Sequence, residues 1–205
     1  FMNSQNKPKI PLEKMTTFFA WISGALILFA AILVSLDILA REIFSDNLFE
    51  SYEISIYIFA ITVAFSYGYA LTTKTHIRID ALYVHLPYLY KVILDIFSCA
   101  VISMVAVGLC YYGWLTALES FSFPTNDMWG ARSVSDLYVP LVIPQALWAL
   151  GLTWFALTSL LFLIKSIFSF LKKDFKSVTY LIGIQKREEG DELTEALELT
   201  KNEKL

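Results

Sequence analysis

Histidine occurs only twice in this 205-residue chain, cysteine only twice, and charged side chains make up 17% of it. Each scarcity removes a class of function. Cys99 and Cys110 lie eleven residues apart in one apolar run, so they form neither a CxxC redox pair nor a metal knuckle. His76 and His85, even with Asp80, give too few ligands for zinc, which takes three or four from protein. Neither histidine falls inside an apolar run, where an axial haem ligand would have to sit. A phosphate loop, a nucleophile elbow and paired carboxylates at membrane depth are all missing from the sequence. The reading is therefore of a non-enzyme without cofactor, metal or nucleic-acid partner.

What the chain has in excess is apolar surface. Hydrophobic residues are 57% of it, against roughly 45–50% in an average soluble domain. Crossing ~30 Å of hydrocarbon takes about 20 mostly apolar residues, and four segments qualify: 18–40, 53–72, 89–113 and 137–164. The fold class expected is an all-α integral membrane protein with four transmembrane helices and short amphipathic flanking segments. Residues 1–17 would form an N-terminal segment, 18–172 the membrane domain and 173–205 a polar acidic tail. The first span is too long to read as a cleaved signal peptide and is expected to stay.

Direction follows from the bases. Four spans put both termini and the 73–88 loop on one side, which then holds fourteen of the sixteen lysines and arginines. Only Arg41 and Arg132 fall on the other, so both termini are expected in the cytoplasm. The opposite loops carry Glu42, Asp46, Glu50, Glu119, Asp127 and Asp136, with Trp114, Trp129 and Tyr138 expected at the outer interface. Pro140 and Pro144 fall in the first turns of the fourth span, and Pro144 is expected to kink it. Residues 178–184, VTYLIGI, could rest on the inner leaflet.

The polar residues near the spans are few. Asp37 is the carboxylate well inside one, and an intramembrane ionisable residue is a functional candidate by default. Arg41 lies four residues on and on the same face, so a local ion pair near the outer interface explains Asp37 more simply. Glu53 opens the second span, where the helix dipole favours a negative side chain. Lys74 to Pro87, KTHIRIDALYVHLP, forms the turn between spans two and three. It is polar on one face and apolar on the other, an interfacial anchor or a docking strip for another polypeptide. Spans two to four hold no ionisable residue near their midpoints, so a solute path through this chain alone would have almost no polar lining.

From Leu39 to Leu86 the sequence resembles the small permease (DctQ-type) subunit of tripartite ATP-independent periplasmic (TRAP) transporters. The matching residues are Arg41 with Phe44, then Tyr52-Glu53-Ile54, then His76-Ile77-Arg78-Ile79-Asp80 with Leu82. Phe49 stands near the family's usual tryptophan, and Lys74 and Thr75 replace its usual glycines. The resemblance implies a bacterial inner-membrane subunit of an uptake system driven by an ion gradient, usually sodium, for organic acids or related solutes. Its partners would be a large permease of about a dozen spans, a periplasmic solute-binding protein and membrane lipids. On that reading Asp37, Arg41 and Glu53 organise the outer ends of spans one and two, and His76, Arg78 and Asp80 the inner end. Glu42, Asp46, Glu50, Glu119, Asp127 and Arg132 become candidates for docking the binding protein. Two other readings stay open: a small proton-coupled exporter using Asp37, and a scaffold subunit of an unrelated membrane complex.

Overall fold

The computed structural model describes residues 11–44, 50–73, 87–124 and 128–182. Among them four helices are long and apolar enough to cross a membrane: α1 (Pro11–Phe44), α2 (Ser51–Thr72), α3 (Tyr88–Phe121) and α4 (Val142–Leu171). A short α5 (Phe175–Ile182) follows. In hydrocarbon a backbone must satisfy its own polar groups, which is why these runs are helical throughout. The chain is thus an all-α, multi-pass membrane protein.

Several helix limits differ from the hydropathy reading, for physical reasons. Helix α1 runs the full 34 residues from Pro11 and α3 reaches Phe121, because a helix ends at a cap or breaker rather than at the edge of the lipid. Helix α4 starts at Val142 instead of 137. The residues before it are held in a loop, where Arg132 and Pro140 form an isolated antiparallel bridge. Pro144 is then the third residue of its helix, before any intrahelical hydrogen bond it could break.

The four helices pack as a row, α1 beside α2, α2 beside α4, α4 beside α3, with α5 lying across the ends of α3 and α4. One end of the bundle, here the connector end, carries the links from α1 to α2 and from α3 to α4. The other, the terminal end, carries the start of α1 and α5. The seams are built on small residues, as expected where lipid supplies no hydrophobic drive between helices. A Cβ on Gly151 would stand 2.7 Å from the Ala64 Cβ, and one on Gly68 would stand 2.7 Å from the Trp154 indole nitrogen. Gly113 gives α3 the same close approach, with Leu152 at 3.1 Å.

Polar side chains within this interior mostly turn back onto their own helix. Ser103, Thr158 and Ser166 are buried and donate to the carbonyls of Cys99, Trp154 and Phe162 at 2.9, 2.8 and 2.7 Å. Thr153 does so too, donating to Ala149, while also receiving the Trp114 indole N–H at 2.9 Å across the α3–α4 seam. Trp114 therefore serves a contact between helices.

At the terminal end, Lys173 takes a left-handed φ of 58° and the Asp174 N–H reaches back to Ser169 at 3.0 Å, a Schellman-type stop to α4. Asp174 then caps α5 through the Ser177 N–H at 3.2 Å and the Ser177 hydroxyl at 2.5 Å. Val178 and Ile182, four residues apart, are buried in a cluster with Val92, Cys99 and Phe162. These two apolar residues of the 178–184 segment face the bundle. An amphipathic turn that can bury against helices gains packing as well as removal from water.

Candidate functional site

Three of the charged residues predicted from the sequence, Asp37, Arg41 and Glu53, lie at the connector end in two tethers. The first joins α1 to α2. Asp37 sits on the buried stripe Thr16, Ser23, Ala30 and Asp37, a seven-residue spacing that keeps one face of α1 against its neighbour. Its Oδ2 accepts from Arg41 Nη2 at 2.5 Å and from the Ser51 hydroxyl at 2.6 Å. The Asp37 side chain is 1% exposed and that of Arg41 47%. The carboxylate is therefore fixed in the seam while the guanidinium reaches outward.

A second polar pair closes the same hairpin at the terminal end, where the hydroxyls of Thr16 and Thr72 meet at 3.2 Å. Residues 16 to 37 and 51 to 72 are both twenty-one apart. At 1.5 Å per residue that places the two clamps ~32 Å apart along the helices, close to the ~30 Å of a bilayer's hydrocarbon core. Arg41 lies one turn beyond the Asp37–Ser51 clamp.

The other tether joins α2 to the loop before α4. Glu53, in the first turn of α2, accepts from the Tyr57 hydroxyl on Oε1 and from the Ser135 hydroxyl on Oε2. The Ser135 oxygen lies 3.1 Å from that of Ser133. Ser133 in turn exchanges backbone and side-chain bonds with Val139 at 2.9 and 3.1 Å. The resulting strap, residues 128–141, is also anchored on the end of α3, where the Ala131 N–H donates to the Ser120 carbonyl at 2.7 Å. Gly130 makes this possible with a φ of 72°. Glu53 thus acts as a cross-chain acceptor in addition to its place at a helix start.

The remaining candidates divide. Glu42 and Glu119 are exposed, and Glu50 precedes α2 without a side-chain capping bond. Arg132 folds back, donating from Nη1 to the Tyr138 carbonyl at 2.9 Å with its guanidinium 5.0 Å from the Tyr138 ring centroid. It stiffens the strap. His76, Arg78, Asp80, Asp46 and Asp127 lie outside the described residues. Sequence reading missed Ser51, Tyr57, Ser133, Ser135 and Gly130, which carry no motif; only Tyr57, four residues after Glu53, had a helical spacing to suggest it. It placed Asp95 in the opening turns of the third span without making it a candidate, and Asp95 is buried there in α3.

Glu53→Ala would strand two hydroxyl donors and is expected to cost about 1–3 kcal/mol. Trypsin cleavage after Arg132 in the folded protein reads the same tether and is expected to accelerate. Cleavage at the wild-type rate would mean that Glu53 does not hold the strap.

None of these groups forms a catalytic constellation; the geometry fastens helices and a loop. No curated protein and no solved structure matches the chain. A family model described as "Tripartite ATP-independent periplasmic transporters, DctQ component" matches residues 30–169, which includes both tethers at the connector end and the strap. The chain belongs to this DctQ family and is the small membrane subunit of a TRAP transporter.

Proposed function

We propose that the chain is a non-catalytic side wall for the large permease of a bacterial TRAP system, in which a sodium gradient drives the uptake of organic acids or related solutes. The observation that carries this reading is the closed interior. Among the described residues the seams are filled by Gly68, Gly113 and Gly151, and the buried hydroxyls of Ser103, Thr158 and Ser166 bond to their own helices. Four such helices offer apolar outer faces, and among the described residues their seams give no polar route for a solute. With Asp37 held by Arg41 and Ser51, a proton-coupled exporter through Asp37 has less support than a scaffold.

The terminal end faces the cytoplasm on the lysine and arginine bias, which puts the strap and the two tethers in the periplasm. Glu42, Glu50 and Glu119, with Asp46 and Asp127 from the sequence, supply an acidic surface there for a solute-binding protein. Arg132 serves that surface by fixing the strap. On the cytoplasmic side His76, Arg78 and Asp80 serve the inner end of the spans, against the large subunit or lipid headgroups.

Single His76→Ala and Asp80→Ala variants are expected to insert normally in the membrane but to lower the yield of the complex and its solute uptake. Normal yield and uptake in both would remove these residues from the account.

A further inference from the structure

We propose that α1 and α2 hold a phospholipid, with one acyl chain in a groove between them and its phosphate on Arg41. The groove has a volume of about 440 Å³ and is lined by Ile27, Ala30, Ala31, Val34, Ser55, Ile56 and Phe59. Small side chains at 30, 31 and 55 leave the hollow, and bulkier ones form its walls. On α1 the stripe continues by helical spacing: Ile27, Val34 and Arg41 are seven apart and share a face. On α2 the corresponding stripe runs from Phe59 through Ile56 to Tyr52, which is exposed.

Depth fits the same occupant. Taking the Asp37–Ser51 clamp as a hydrocarbon boundary, Val34 to Ile27 lie ~5–15 Å inside it, the depth of acyl chains in one leaflet. Arg41 lies ~6 Å outside it, among the headgroups. Its contact with Asp37 uses Nη2, whereas a guanidinium carries five N–H donors in a fork suited to phosphate. The side chain is nearly half exposed. Tyr52 brings an amphipathic ring to the same level, where such rings are enriched. A partner helix could fill an apolar groove, but it would not by itself explain a cation at the mouth of one that ends at mid-membrane.

The test uses the full-length chain in vesicles containing phosphatidylglycerol with a diazirine at mid-chain. After illumination, adducts are mapped by peptide mass spectrometry. They are expected to concentrate on residues 27–34 and 55–59. Ala31→Phe, which fills the hollow from an exposed position, should lower them by about fivefold relative to adducts elsewhere on α1. Arg41→Gln should lower them several-fold. Adducts spread along α1 in proportion to exposure and unchanged by Ala31→Phe would overturn the proposal. Should Arg41→Gln fail to fold, the Ala31→Phe comparison still decides.

Discussion

Arg41→Ala is expected to destabilise the chain by about 2–4 kcal/mol, and adding Asp37→Asn to recover most of that loss. The asymmetry comes from burial. Asp37 is 1% exposed and Arg41 47%, so removing the base leaves a carboxylate enclosed in the α1–α2 seam without its charge partner, the Ser51 hydroxyl still donating to it. Removing the acid leaves a guanidinium that can turn to water or headgroups, and Asn at 37 can still accept from Ser51. Asp37→Asn alone should therefore cost less than Arg41→Ala alone. Because the base is half exposed, the figure lies below that for a fully enclosed pair. Unfolding midpoints of the three variants in mild detergent check this. Additive losses would show that the two side chains are not coupled across the last turns of α1.

Gly130→Ala is the second large effect, at about 2–5 kcal/mol. A left-handed φ in a non-glycine residue costs roughly 1–2 kcal/mol, and overpacking typically another 1–3. The overpacking is severe here, since a Cβ would stand 2.2 Å from the Ser120 carbonyl oxygen and 2.4 Å from that of Phe121. Those are backbone atoms at the end of α3 and cannot rotate aside. The strap must lift, and with it the Ala131–Ser120, Ser133–Val139 and Leu141–Ala131 backbone bonds. Amide hydrogen exchange at Ala131, Ser133 and Leu141 is expected to quicken while the midspan amides of α3 stay protected. Unchanged protection at all three would mean that the strap does not depend on this turn.

Both variants act on features that the sequence revealed unevenly. The four spans were legible because hydrocarbon thickness acts on composition alone, and Asp37–Arg41 because helical spacing brings residues four apart together. The limits of α1 and α3 were not, since hydropathy reports where lipid is and not where a cap is. The Glu53–Ser135 bond joins residues eighty-two apart, and no local pattern marks such a pair. The same holds for Gly130, one of eight glycines, whose value lies in the α3 carbonyls above it. The burial of Val178 and Ile182 was not legible, because it depends on the turn at Lys173 and Asp174 that brings α5 onto the bundle.

The role of a side wall is tested most directly by purification from native membranes in mild detergent, with a tag at the C-terminus. A stoichiometric hydrophobic partner of about a dozen spans should co-purify with the wild-type chain and in lower yield with His76→Ala and Asp80→Ala. A chain that emerges alone, or only with copies of itself, would contradict the account.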